Sequence, residues 1–279
     1  MHNILNLQSD ITSQVTSALR EDIGDGDITA QLIPEHTQAS ATIFCREDAV
    51  LCGAPWAEEV LRQLDANIQF EWHCDEGADV LKDQALITMQ GDARTLLTAE
   101  RSILNFLQSL SGTATLAKRY AKAVAHTKVK LLDTRKTIPG LRTAQKYAVR
   151  IGGCHNHRMG LYDAFLIKEN HINACGSISA AVNKAHQLHP SKPVEVEVEN
   201  LQQLEEAINA QANTIMLDNF TLNDLYKAVS ITAGKVKLEA SGGINSETLV
   251  PIAQSGVDFI SIGALTKDCK AIDLSMLFN

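Results

Sequence analysis

Positive charge is in short supply: 25 Lys and Arg stand against 33 Asp and Glu, a formal net charge of -8. Such a surface repels polyanions, so the balance argues against a general nucleic-acid or anionic-membrane binder. No stretch approaches roughly eighteen uninterrupted apolar residues, and the opening MHNILNLQSD lacks a basic cluster followed by an apolar run. Neither membrane spanning nor export is expected, and the chain reads as cytoplasmic. The six cysteines, Cys45, Cys52, Cys74, Cys154, Cys175 and Cys269, form no Cys-x-x-Cys pair. That spacing argues against a zinc ribbon or disulfide frame and for free thiols in a reducing compartment. With 6 Pro and 16 Gly in 279 residues, disorder and a collagen-like repeat are excluded. No G-x-G-x-x-G or Walker sequence occurs, which disfavours an open doubly wound nucleotide-binding sheet.

What is present is a rhythm. From about residue 129, short β-branched or apolar runs alternate with helical patterns: VKLLD (129 to 133), AFLIK (164 to 168), VEVEVE (194 to 199), TIMLD (214 to 218), KVKLEAS (235 to 241) and FISIG (259 to 263). Each interval has room for a crossover helix, so parallel pairing is expected, with barrel-like closure preferred. LQQLEEAINA (201 to 210), LNDLYKAVS (222 to 230) and SETLVPIAQSG (246 to 256) supply the helices, with Thr221 as an N-cap and Gly256 as a C-cap. The first hundred residues read as an α+β layer: strands in ATIFCRE (41 to 47), VLCG (50 to 53), IQFEWHC (68 to 74) and ALITMQ (85 to 90), and a helix in PWAEEVLRQL (55 to 64). The fold class is therefore α/β, with an N-terminal domain over 1–100 on which the tail 270–279 packs, and a barrel domain over 101–269.

Candidate chemistry concentrates at strand ends. Residues 128–158 hold eight basic side chains, Lys128, Lys130, Arg135, Lys136, Arg142, Lys146, Arg150 and Arg158, against the single acid Asp133. Such a local excess calls for a bound anion or facing carboxylates, although Lys146 and Arg150, four apart on a helix, read as a solvated face. Residues at the carboxyl ends of barrel strands face the mouth, which selects Arg135, Lys136, Lys168, Glu197 or Glu199, Asp218, Glu239 and Ser241. Along VEVEVE the period-2 rule puts Glu195, Glu197 and Glu199 on one face, Glu195 being as compatible with an exposed polar face as with a site. The turns S-G-G-I (241 to 244) and I-G-A-L (262 to 265) each follow a strand and precede a helix, as phosphate-holding loops do. In G-G-C-H-N-H-R (152 to 158), His157 and Arg158 fit anion donors better than metal ligands. E-D-I-G-D-G-D-I-T (21 to 29) lacks a calcium-loop order, and Asp27 or Thr29 reads as a turn and cap residue. A Schiff-base aldolase built on Lys168 and a non-catalytic binding relative are the competing readings.

The segments EDIGDGDIT, ERSILNFLQSLSGTAT, DTRKTIPGLRTAQKYAVRIGGCHNHRMGLYDAFLIKENH, VEVEVENLQQL, IMLDN, EASGGI and SIGALT together resemble the quinolinate phosphoribosyltransferase family, nearly end to end. The resemblance implies an N-terminal α/β sandwich, an incomplete (open) α/β TIM-like barrel and a homodimer. It also implies transfer of phosphoribose from 5-phosphoribosyl 1-pyrophosphate to quinolinate with decarboxylation, in NAD biosynthesis. By the same resemblance Arg135, Lys136, His157, Arg158 and Lys168 form a basic pocket for the quinolinate carboxylates and the pyrophosphate, and Arg101 reaches in from the partner subunit. Glu197 and Asp218 meet ribose hydroxyls and Mg²⁺, and Ser241, Gly242, Gly243, Gly263 and Ala264 take the phosphate. Lys136, Lys168, Glu197 and Asp218 are the expected catalytic groups.

Overall fold

A computed structural model of the chain describes residues 7–279, so the first part of the opening segment read above lies outside the described residues. Two compact units emerge. One comprises residues up to Lys118 together with Thr137–Gly153 and Asp268–Asn279, and the other comprises Arg119–Lys136 and Cys154–Lys267.

In the first unit, α1 (Leu7–Ile23) buries Ile11, Val15 and Leu19, one side chain per helical turn. The acidic turn that follows is structural: Asp27 Oδ1 accepts from the backbone N–H groups of Thr29 and Ala30, and Oδ2 from the Thr98 hydroxyl. These bonds hold the Asp27 carboxyl below the usual carboxylate range. β1 (Gln38–Cys45), β2 (Ala49–Val50), α2 (Ala54–Leu64), β3 (Gln69–Trp72), β4 (Asp79–Val80), β5 (Ala85–Asp92) and α3 (Ala93–Ala123) follow in order. Glu76 caps α2 by accepting from the N–H groups of Gly53 and Ala54. β1 lies antiparallel to β5, which lies antiparallel to β3.

The chain then enters the second unit with β6 (Lys130–Leu132), returns to the first for α4 (Arg142–Ile151), and goes back for β7 (Phe165–Ile167). The remaining elements run α5 (Glu169–Cys175), α6 (Ile178–Leu188), β8 (Val194–Val198), α7 (Leu201–Asn209), β9 (Thr214–Asp218), α8 (Leu222–Thr232), β10 (Lys237–Ser241), α9 (Leu249–Gln254), β11 (Phe259–Ser261) and α10 (Ala264–Lys267). β12 (Leu274–Phe278) belongs to the first unit, antiparallel to β1. The Thr221 side chain accepts from Asp224 N–H at the start of α8, and Gly256 follows α9 with φ 98°. No helix among the described residues is long and apolar enough to cross a membrane.

The six strands of the second unit are all parallel, in the order β6-β11-β10-β9-β8-β7, and β6 and β7 are edges not bonded to each other. The barrel is therefore open. One face of each strand is apolar and buried, with Val194, Val196, Val198, Ile215, Leu217, Leu238, Ala240 and Ile260 on it. By the period-2 rule, the other face carries Glu195, Glu197, Met216, Asp218, Glu239, Ser241 and Ser261. The register sets Glu197, Met216 and Glu239 side by side, and Asp218 beside Ser241.

In α3, a Cβ added at Gly112 would stand 2.0 Å from the Lys270 carbonyl oxygen and 3.3 Å from Ala271 Cα. Mid-helix alanine is normally favoured over glycine by about 1 kcal/mol. Here backbone meets backbone, and Gly112→Ala is expected to reverse that sign and lower Tm by roughly 5 °C or more. An unchanged or raised melting temperature would contradict this packing.

Candidate active site

The polar face of the open barrel gathers its chemistry at the carboxyl ends of the strands. Arg135 and Lys136 follow β6 in a turn closed by Lys136 N–H donating to the Thr134 hydroxyl. A Cβ at Gly263, in the loop after β11, would lie 3.3 Å from Lys136 Cδ and 3.7 Å from its Nζ, so the lysine lies directly over that glycine. Lys168 caps the start of α5 and pairs through Nζ with Glu197 Oε2. After β9, Asn219 takes a left-handed φ of 54°, donates through Nδ2 to Asp218 Oδ2 at 2.8 Å, and packs against Gly242. Gly242 and Gly243 both have positive φ, 97° and 60°, a conformation that glycine adopts without a steric penalty.

Beside β6, the segment through His157 is held by Asp133, whose side chain is fully buried. Asp133 Oδ1 accepts from His157 N–H at 2.9 Å and Oδ2 from Asn156 Nδ2 at 2.6 Å. The His157 imidazole reaches Glu195 Oε2 at 3.0 Å and Glu239 Oε2 at 3.5 Å. From β6 to β8 is four strand spacings, roughly 19 Å across a flat sheet. A 3.0 Å contact from beside β6 to Glu195 on β8 therefore requires the sheet to curl. Arg158 Nη1 donates to the Ala164 carbonyl. Burial, and next to it the charge of Arg135, pull the Arg158 guanidinium below its usual value, while Asp163 and Glu195 oppose the shift.

Two expectations need correction. Glu195, read as equally compatible with an exposed face, is 8% exposed, because the curled sheet turns it onto His157. Lys146, read as part of a solvated helix face, is 1% exposed within α4, whereas Arg150 is exposed. The basic run also divides. Arg135, Lys136 and Arg158 lie at the carboxyl ends of the strands, Lys128 and Lys130 at the amino end of β6, and Arg142, Lys146 and Arg150 on α4 in the other unit. Arg101 is exposed on α3, also in the first unit. Gly263 leads directly into α10, but residues 244–248 separate Gly243 from α9, so the glycine pair is a turn rather than a helix start. Glu199 is exposed, and only its backbone N–H is bonded, to Gln203.

Sequence reasoning passed over Asp133, Asn156 and Asn219. The available signals were the lone acid in a basic run and the Asn after a strand-end Asp. Among the described residues, His157, Glu195 and Glu239 form the one group of three or more His, Cys, Asp or Glu side chains close enough to share an ion.

Burial first, then the charge of Glu195, push the Glu239 carboxyl up to about 8, while the imidazole and the Ser261 hydroxyl pull the other way. An acid with a raised folded-state pKa takes up a proton on folding. Its contribution therefore worsens as pH climbs from the ordinary glutamate value of about 4.3 towards about 8. Glu239→Gln has no proton to lose. Its Tm is expected to rise relative to the unsubstituted protein between pH 5 and pH 9, by on the order of 5 °C, in parallel melting curves. A difference independent of pH would contradict the buried-acid assignment.

Comparison with known proteins agrees with this architecture. The model for the N-terminal domain of quinolinate phosphoribosyl transferase matches residues 10–111, and that for its C-terminal domain matches residues 113–277. The chain is 40% identical over 269 residues to the nicotinate-nucleotide pyrophosphorylase (carboxylating) of Mycobacterium leprae, covering 94% of this chain and 95% of that one. It is 40% identical over 288 residues to quinolinate phosphoribosyltransferase (decarboxylating) 1b of Nicotiana tabacum, covering 96% and 82%. The solved structure of the nicotinate-nucleotide pyrophosphorylase from Francisella tularensis superposes with a TM-score of 0.94 at 53% identity, covering 97% of this chain and 96% of that one. With both domain models matched along almost its whole length, the chain belongs to the quinolinate phosphoribosyltransferase family.

Proposed function

We propose that the chain transfers the phosphoribosyl group of 5-phosphoribosyl 1-pyrophosphate to the ring nitrogen of quinolinate. The products are nicotinate mononucleotide, pyrophosphate and CO₂, a step of NAD biosynthesis. Besides family membership, one observation carries this reading. In a protein of net charge -8, Arg135, Lys136, Arg158 and Lys168 stand with two glycine turns and the carboxylates Glu197 and Asp218 at one end of a parallel sheet. A dicarboxylate and a phosphorylated sugar bearing a pyrophosphate together demand cations, hydroxyl-binding acids and close backbone approach.

In this reading Arg135, Arg158 and Lys168 bind the quinolinate carboxylates in a pocket that His157 helps to wall, and Lys136 neutralises the departing pyrophosphate. Ser241, Gly242, Gly243, Gly263 and Ala264 approach the 5-phosphate through their backbone. Arg101 of a partner subunit completes the pocket in a homodimer. The carboxylates of Glu197 and Asp218 are hard oxygen donors that suit Mg²⁺, which usually keeps several waters and takes one or two carboxylates plus substrate phosphates. When bound, Mg²⁺ neutralises pyrophosphate charge. Glu197 and Asp218 also hold the ribose hydroxyls, and their charge stabilises the oxocarbenium-like centre as the pyridine nitrogen attacks the anomeric carbon. CO₂ then leaves C2, the electron pair left there takes up a proton from solvent, and the C3 carboxylate is the one gripped more firmly, since a tight hold on the carboxylate being lost would not lower the barrier.

The aldolase alternative is less well supported, because Lys168 is matched to a carboxylate, an anion-holding setting rather than a carbonyl-attacking one. The test is incubation of the purified protein with quinolinate, phosphoribosyl pyrophosphate and Mg²⁺. Nicotinate mononucleotide and pyrophosphate are expected in equal amounts, and none from nicotinate. Formation of a borohydride-trapped adduct on Lys168 with a sugar phosphate bearing an aldehyde or ketone would favour the aldolase.

A further inference from the structure

Two buried carboxyl groups have no part in the scheme above. Glu195 on β8 and Glu239 on β10 both turn an Oε2 towards His157 Nε2, at 3.0 and 3.5 Å, and their Oε1 atoms are buried without a hydrogen-bond partner. Carboxyl groups so enclosed cost stability unless something they hold compensates for the cost. The accounting at the imidazole shows what they hold. The Arg158 backbone N–H donates to His157 Nδ1 at 2.8 Å. Nδ1 is therefore an acceptor, and the ring hydrogen sits on Nε2, where it faces the glutamates. A ring nitrogen carrying a hydrogen is a donor rather than a metal ligand, so this trio is not read as a cation site.

The bonds run in series. Glu195 and Glu239 fix the ring, the ring fixes the Arg158 amide, Asp133 fixes the His157 amide, and the Arg158 guanidinium leans on the Ala164 carbonyl.

We propose that Glu195 and Glu239 are positioning residues for the dicarboxylate, acting through His157 to aim the Arg158 guanidinium. The inference rests on the proposed quinolinate pocket and adds a buried layer beneath it. Neither glutamate need touch a substrate. Their effect is confined to the substrate that Arg158 grips, and an amide oxygen can stand in for the carboxyl oxygen because it accepts the same Nε2–H.

The test compares the full-length protein with Glu195→Leu, Glu239→Leu, Glu195→Gln and Glu239→Gln, measuring kcat and KM separately for quinolinate and for phosphoribosyl pyrophosphate. Each leucine variant is expected to raise KM for quinolinate roughly tenfold or more, with KM for phosphoribosyl pyrophosphate moving less than about twofold. Each glutamine variant is expected to return quinolinate KM to within about threefold of the unsubstituted value. Equal rises in both KM values, unshifted leucine variants, or glutamine variants as impaired as the leucines would overturn the proposal. Should a leucine variant fail to fold, ¹⁵N-histidine spectra of the unsubstituted protein decide. His157 with its hydrogen on Nε2 supports the proposal, and a hydrogen on Nδ1 overturns it. If the unsubstituted protein does not turn over quinolinate, the functional reading fails and this inference with it. A normal unsubstituted enzyme with unaffected leucine variants removes the inference alone.

Discussion

Glu197→Gln and Asp218→Asn are each expected to lower kcat by at least about a hundredfold, the scale seen when one preorganised electrostatic contact to a transition state is removed. Both substitutions keep the side-chain volume and delete only the charge. Glu197 stands at the end of β8 in an ion pair with Lys168, and Asp218 stands at the end of β9, oriented by Asn219 Nδ2. If these charges stabilise a positive anomeric centre, their loss appears mainly in kcat and less in either KM. Lys168 is coupled to Glu197, so Lys168→Met combined with Glu197→Gln is expected to cost less than the product of the single losses. Steady-state kinetics alongside melting curves checks this. A kcat within about threefold of the unsubstituted value, in a folded variant, would remove these acids from the chemistry.

Gly242→Ala is expected to raise KM for phosphoribosyl pyrophosphate by tenfold or more while leaving quinolinate binding close to normal. A Cβ at this position would stand 2.1 Å from Asn219 Oδ1 and 3.0 Å from Asn219 N, with a backbone φ of 97°. The clash and the φ penalty act together, because Asn219 is itself in the left-handed region and its N–H is donated to the Ser241 carbonyl. Displacing Asn219 also releases the Asp218 carboxylate, so some loss of kcat accompanies the change. Quinolinate affinity from calorimetry without the second substrate separates the two pockets. An equal loss for both substrates would mean that the turn is only structural.

The second unit was the more legible half because strand alternation and crossover spacing are local patterns. The runs at 129–133, 164–168, 194–199, 214–218, 235–241 and 259–263 all form parallel strands. What local pattern could not provide was the sign of burial on the polar face. Glu195, Glu197 and Glu199 look alike in sequence, yet the curled sheet buries Glu195, half-buries Glu197 and leaves Glu199 in solvent. Lys146 and Arg150 share a helix face by spacing, yet Lys146 is buried and Arg150 is exposed. β12 was invisible as a strand because its partner β1 lies more than two hundred residues away. The Asp133 clasp and the left-handed Asn219 likewise depend on neighbours that only folding brings together.

In the proposed reaction a cluster of cations in an acidic protein holds two anionic reactants against each other so that one loses CO₂ after gaining a sugar phosphate. The most direct measurement follows ¹³CO₂ release from quinolinate labelled at the C2 carboxyl, with Mg²⁺, in the presence and absence of phosphoribosyl pyrophosphate. Label release is expected only when both substrates are present, at the rate at which nicotinate mononucleotide accumulates. Release without the sugar phosphate, or mononucleotide formed with the label retained, would contradict the proposed reaction.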